Sequence, residues 1–501
     1  MPKPVPSSPM RWFPEFLAAG ERRLRPQSRV LALSLVVGVI AGLGAVVFYA
    51  AGQFVFHYTL TNVAGYQPVE AGGEMHLFSG SPHVAGVEKP KDVEARRPLR
   101  PWLLVLIPAL GGLVCGLIVY TLAPEAEGHG TDAAIAAYHL HQGVIRPRVP
   151  LVKLVASAVT LGTGGSGGRE GPIAQIGAGF GSFLGTKLRL RPDERRLLMA
   201  AGMGAGIGAI FRAPLAGTLF AAEVMYSSAD LESDVLMPAA LGSVTAYSTF
   251  GLIFGWQPLF TIPPRVADLL VFNQPLELAS YLILAVAMAV LAMIYTRTFY
   301  GLTYAFHHLP ISPKLRPMIG AALTGVLAVA LFYAFGGDQR VLSVLSFGYG
   351  ILQLALEYVP GAEGNMRFAA LLLAICLGKL LTTSLTIGSG GSAGVFGPSM
   401  VIGGCGAGAL GMVLHHFAPS LVPHPASFVI VGMAGFFAAA AKTPLSTLVM
   451  VSEMIGNYNL LLPSLWVCTL SFLLSDQQSI YSEQLIDRLA SPVHDAIIKD
   501  E

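Results

Sequence analysis

The run Gly162-Thr163-Gly164-Gly165-Ser166-Gly167-Gly168-Arg169-Glu170-Gly171-Pro172 sets one acid and one base in a stretch that is more than half glycine. With no side chains to cover it, such a backbone can turn consecutive N–H groups toward one point, which is how a loop holds an anion. Pro172 suits the first turn of a helix, whose amino end carries partial positive charge and unpaired N–H donors. Glu170 is therefore an anionic side chain at an anion site. Ionised, it fills the site and blocks it; protonated or displaced, it leaves the site to another anion. A structural ion pair with Arg169 is the competing role.

Other residues carry candidate chemistry. Ser166, matched below by Ser392, either contacts an anion or bonds the tight backbone and caps the next helix, the commoner use of a small hydroxyl. His129 lies between Gly128 and Gly130 and just before Thr131-Asp132. It reads either as a group titrating near neutral pH or as a solvated histidine at a mouth of the path. Glu223 has a counterpart in Glu453, which suggests a shared task such as bonding freed backbone groups, with proton relay through Glu223 as the other reading. Gly164-Gly165-Ser166-Gly167 also fits a short serine-nucleophile pattern with His139 as base. An intramembrane serine protease is thus the reading from another class, but it leaves Glu170 and Pro172 without a purpose, so no enzymatic activity is expected. His139 and His141 face apart on a helix, and Cys115, Cys376, Cys405 and Cys468 lie in apolar runs without ligand spacing, so no metal or organic cofactor is expected.

The elements that position these residues are membrane helices. Of 501 residues, 53% are hydrophobic and 12% charged, against about 25% charged in soluble domains; the mean hydropathy is +0.63. Apolar runs at 30–51, 102–123, 236–255, 279–295, 317–336 and 368–382 include several near the ~20 residues that cross a bilayer as helix, about twice a barrel strand. The expected fold class is an all-α integral membrane protein. The net charge of +2 gives no reason to expect nucleic acid. Lys3, Arg11, Arg22, Arg23, Arg25 and Arg29 place the amino end in the cytoplasm by the positive-inside rule, with the chain in the cell membrane, by expectation the bacterial inner one. The expected divisions are a cytoplasmic segment 1–29, a first transmembrane repeat 30–260 with a polar external loop 57–100, a second repeat 261–478, and a cytoplasmic tail 479–501.

Between 150 and 226 the apolar pieces shorten and are broken at Gly162–Pro172 and Arg212-Ala213-Pro214. Non-helical backbone at membrane depth survives only around protein or a water-filled cavity, so these breaks surround an internal site. The same pattern returns later. Residues 162–185 match 388–411, aligning Gly162 with Gly388, Ser166 with Ser392, Gly171 with Gly397 and Pro172 with Pro398; Pro214-Leu215 and Glu223 match Pro444-Leu445 and Glu453. Where the first loop has Glu170, the second has Phe396.

These motifs resemble the CLC family of chloride channels and chloride/proton antiporters, over about residues 30–478. Gly168-Arg169-Glu170-Gly171-Pro172 is similar to the family's GREGP loop, Gly394-Val395-Phe396-Gly397-Pro398 to its GxFxP loop, and Asn457-Tyr458 to its pore-tyrosine region. The resemblance implies two inverted-topology repeats of broken, tilted helices in a homodimer with one pore per subunit. It implies Glu170 as the gating and proton-transfer residue. Chloride or another small anion would bind along Gly128, His129, Gly130, Ser166, Gly168, Arg169, Gly171, Val395, Phe396, Gly397 and Tyr458.

The departures shape the expectation. Where many members place an anion-coordinating serine, this chain has His129 and Asp132. Where proton-coupled members often carry an inner glutamate, it has Val224, as the family's animal chloride channels do, with Glu223 one place earlier. The expectation therefore leans to a voltage- or pH-gated chloride channel, with a chloride/proton antiporter as the alternative. Fluoride and nitrate carriers share the architecture. No CBS domains are expected, since the sequence ends at Glu501.

Overall fold

The computed structural model of the chain describes residues 12–75, 77, 98–358, 365–422 and 424–493. The first half comprises α1 (Trp12–Phe56), α2 (Leu103–Leu122), α3 (Thr131–His139), α4 (Val149–Gly162), α5 (Glu170–Lys187), α6 (Pro192–Ile210), α7 (Pro214–Glu223) and α8 (Ser233–Phe254). After the short α9 (Pro264–Ala267), the second half runs α10 (Glu277–His307), α11 (Arg316–Ala334), α12 (Tyr349–Glu357), α13 (Asn365–Gly388), α14 (Phe396–Phe417), α15 (Pro425–Ala441), α16 (Pro444–Ile455) and α17 (Leu461–Leu474). Among the described residues, 7 helices are long and apolar enough to cross a bilayer. α4, α15, α16 and α17 are apolar but too short to cross alone.

The breaks have local causes. Pro192, Pro214, Pro425 and Pro444 open α6, α7, α15 and α16, where a missing N–H costs nothing. The turns into the two glycine loops pass through Gly164 at φ +102° and Gly390 at φ +99°, a left-handed backbone that glycine adopts freely.

The two halves interlock at their matched loops. Gly168 N–H donates to the Gly394 carbonyl and Gly394 N–H to the Gly168 carbonyl, both at 2.7 Å, in antiparallel sense. Opposed strand direction at this junction is what an inverted repeat requires. The acids at matched positions cross over as well. The Glu223 carboxylate accepts from the N–H groups of Leu445 (2.9 Å) and Ser446 (2.7 Å) at the start of α16. Glu453 accepts from Leu215 (3.2 Å) and Ala216 (2.8 Å) at the start of α7. Each half thus caps an orphaned helix start of the other.

α5, α6, α14 and α15 are buried in the centre, while Leu43, Val47, Leu106, Leu110, Ile283, Val286 and Val290 expose apolar surface on α1, α2 and α10. An apolar exterior around a core with buried polar groups is the arrangement a bilayer demands.

Parts of two expected divisions pack onto the helices. The segment after 478 is bonded to the bundle. Ile480 N–H donates to the Ala440 carbonyl (2.8 Å) and Leu485 N–H to Met225 (3.3 Å), and Gln484 donates to the carbonyls of Val224 and Ala441, both at 3.0 Å. Part of 57–100 also folds onto the core: π-helical His57–Ala64 prolongs α1, and the stretch after it bonds Leu259 and Gln353. Residues 76 and 78–97 of that loop, and 1–11 and 494–501 at the ends, lie outside the described residues.

Candidate anion-binding site

Glu170 is the first residue of α5 and Phe396 the first of α14, so the amino ends of both repeat helices meet at one point. The Glu170 side chain folds back onto it. Its Oε2 accepts from Gly397 N–H at 3.0 Å, and its Oε1 accepts from the Tyr349 hydroxyl. Gly168 leaves the room: an added Cβ there would overlap the Glu170 carboxylate. The acid therefore sits where the two helix dipoles and a phenol converge on negative charge.

Next to it lies a cavity of about 10 Å³ lined by Thr131, Glu170, Gly171, Phe211, Phe220, Phe396 and Tyr481 among others, enough for roughly one water-sized occupant. Phe396 is held by ring contacts to Phe211 (4.7 Å between centroids) and Phe437 (4.2 Å). Tyr481 is 2% exposed, and its ring lies 5.4 Å from that of His129. A larger hollow of about 680 Å³, lined by Asp338, Arg340, Tyr358 and Arg367, shares no residue with this site.

Two buried lysines shape the approach. Lys153 Nζ donates to the carbonyls of Ala126 (3.1 Å) and Gly128 (2.7 Å). Lys379, its match in the repeat, donates to the Ser346 carbonyl at 2.6 Å and to that of Ser343 at 3.3 Å. Each fixes a turn that ends in a left-handed glycine, Gly130 or Gly348, capping the start of α3 or α12. Those starts deliver Thr131 to the cavity and Tyr349 to Glu170. Among the described residues no carboxylate lies within ion-pair distance of either lysine, and backbone carbonyls are their hydrogen-bond partners.

Of the residues expected at the site, Glu170, Gly168, Gly171, Phe396 and Gly397 are brought together. Val395 is buried as the residue preceding α14. Gly128 acts through its carbonyl, which also accepts from Ala393 N–H at 3.3 Å. Tyr458 is elsewhere: it lies 53% exposed in the turn after α16, and Tyr481 takes the cavity position. Ser166 does not reach the cavity either. Its hydroxyl bonds Thr383 (2.9 Å) and Thr382 (3.1 Å) of α13, as Ser392 bonds Ser157 (2.9 Å) and the Ala126 carbonyl (2.9 Å). His139 meets Ser491 (2.9 Å) and the Met225 carbonyl (3.2 Å), so Ser166 and His139 form no nucleophile–base pair.

His129 is 7% exposed rather than solvated, with Nε2 3.2 Å from Asp132. Asp132 also accepts from the Ser482 hydroxyl at 2.8 Å, which ties this mouth to the C-terminal segment. Arg169 turns away from Glu170 and pairs with Glu74. Val224 is fully buried at the end of α7. Tyr349, Tyr481, Thr131, both lysines and Glu74 carry no site motif in the sequence; only the lysines have a signal, being charged residues at matched repeat positions inside apolar helices.

Comparison with known proteins follows the same lines. The family described as "Voltage gated chloride channel" matches residues 111–476. A putative chloride channel protein ClcB-like of Ralstonia nicotianae is 30% identical over 384 residues, covering 75% of this chain and 83% of the relative. An H(+)/Cl(-) exchange transporter ClcA of Yersinia pestis bv. Antiqua is 30% identical over 450 residues, covering 88% and 83%. Among solved structures, a slow cyanobacterial Cl-/H+ antiporter is similar with a TM-score of 0.73 at 23% identity, covering 91% of this chain and 96% of that one. A CLC-type fluoride/proton antiporter reaches 0.71 at 22% identity, covering 92% and 98%.

Proposed function

Because this chain belongs to the CLC family of chloride channels and chloride/proton antiporters, we propose that it is an antiporter, moving chloride against protons through a path that Glu170 alternately fills and opens. The observation that carries this is the Glu170 carboxylate held on Gly397 N–H and the Tyr349 hydroxyl. A carboxylate in that place is an anion substitute. Taking up a proton weakens its hold on both donors, and a chloride then takes the freed N–H.

The channel expectation rested on Val224, and it is not kept. A relative named as an exchange transporter matches 88% of the chain, and exchange asks only that some group deliver protons from the other mouth. Glu223 is held at the start of α16. His129 stands beside Tyr481, with Asp132 on Nε2 and a buried Nδ1 that bonds nothing among the described residues. We assign the second proton entry to His129, which faces Asp132 and Tyr481, Asp132 also accepting from the Glu483 backbone N–H.

The multi-pass chain is further proposed to form a homodimer, with its termini in the cytoplasm of a bacterial inner membrane. α8, α7, α16 and α17 pack in a row that exposes Leu215, Met237, Val244, Leu445, Leu465 and Trp466. A second copy is the proposed cover for this face.

The test of the gate is Glu170→Gln in liposomes under a chloride gradient. The variant should pass chloride while moving no protons; proton pumping at the wild-type rate would overturn the role of Glu170.

A further inference from the structure

The stretch from Gly65 to Met75 is a fitted strap bonded to Leu259, Gln353, Tyr49 and Arg169, the residue next to Glu170. Gly73 N–H donates to the Leu259 carbonyl at 3.0 Å, and Gly72 N–H donates to Gln353 Oε1 at 3.1 Å. That same oxygen accepts from Thr261 N–H at 3.1 Å. The Met75 carbonyl receives the Tyr49 hydroxyl and Gln53 Nε2, both at 2.9 Å. The fit excludes side chains: a Cβ on Gly73 would overlap the Pro258 carbonyl, and one on Gly72 the Thr261 hydroxyl.

The strap delivers one carboxylate, Glu74, to Arg169, the residue next to the gate. Arg169 has little freedom to find another partner. Its guanidinium lies over the rings of Phe347 (4.3 Å), Tyr49 (5.0 Å) and Tyr349 (5.5 Å), and the side chain is 6% exposed. Arg212, a second cation within electrostatic reach of Glu74 and Arg169, is spent on the carbonyls of Gln257 and Phe254. Among the described residues, Arg169 therefore stands between the Glu74 carboxylate it pairs with and the neighbouring Glu170, with Arg212 close by.

We propose that Glu74 sets the anion affinity beside Glu170 by standing on Arg169 as a built-in competitor for the transported anion. The inference rests on reading Glu170's surroundings as an anion path. Removing the Glu74 charge leaves a buried guanidinium without its counter-ion, a costly state, and chloride is the small anion at hand to relieve it. Loss of the acid should therefore tighten chloride binding.

Thermal melting of the detergent-purified protein, with chloride replaced stepwise by gluconate at constant ionic strength, tests this without measuring transport. Ligand that binds the folded state raises the melting point by mass action. Glu74→Gln should melt below wild type in gluconate and recover as chloride is added, at a half-effective concentration about tenfold lower than wild type. Glu74→Asp should behave as wild type. Gly73→Ala, which unseats the strap but keeps the acid, should shift as Glu74→Gln does, and it serves alone if that variant does not fold. Destabilisation by the same amount at every chloride concentration would overturn the inference and leave Glu74 a structural pair. If wild type itself ignores chloride, the anion-site reading falls as well.

Discussion

At the scale of single residues, some side chains face the cavity beside Glu170 and others only look as though they do. Tyr481 and Tyr458 separate the two. Tyr481→Phe removes a hydroxyl from the cavity wall; losing one such donor is worth about 1 kcal/mol, roughly fivefold in chloride affinity. Tyr458→Phe should leave transport unchanged. Chloride binding by calorimetry on both variants checks the pair, and the reverse ranking would restore Tyr458 to the path. His129→Phe should slow proton movement while chloride still passes; proton movement at the wild-type rate would remove His129 from the proton route. Glu170, Gly397 and Phe396 were legible in the sequence because an acid among glycines is costly at membrane depth unless it has a use. Tyr481 was not, because a tyrosine in a polar segment after the last apolar helix carries no local sign of burial. Tyr349 was hidden for a related reason: its bond to Glu170 joins residues 179 apart in the chain.

At the scale of elements, glycine and proline announced where helices break, and the repeat announced that the breaks come in pairs. Glu223 and Glu453 show how far that reading reaches. Their matched positions suggested a shared task of bonding freed backbone groups, and each binds two N–H groups at a helix start of the opposite half. Replacing either by Ala should cost about 0.5–2 kcal/mol, the range for losing an N-terminal cap, seen as a lower melting temperature, with the chloride-to-proton ratio kept. A Glu223→Ala protein that melts as wild type but moves no protons would instead make Glu223 a relay. What stayed illegible were the segments lacking periodicity. The strap before Met75 and the stretch from Ile480 to Leu485 are positioned by backbone bonds to distant helices, such as Ser482 on Asp132, 350 residues away. Nothing in their composition marks them as structural.

At the scale of the whole molecule, two interlocked halves put two helix amino ends at one point inside an apolar shell, which is a way to hold a dehydrated anion without a fixed counter-ion. The proposed dimer face predicts that the detergent-purified protein has twice the 52.7 kDa chain mass by light scattering; a mass of one chain would leave the exposed row on α7, α8, α16 and α17 to lipid.

Whether chloride movement drives protons despite Val224 is decided by wild-type protein in liposomes, loaded with chloride and diluted into low chloride, with external pH and chloride recorded together. Chloride leaving should carry protons inward against their gradient, and the movement should reverse when the chloride gradient is reversed. Rapid chloride efflux with no linked proton movement, unchanged by a proton ionophore, would contradict this coupling and return the protein to the channels.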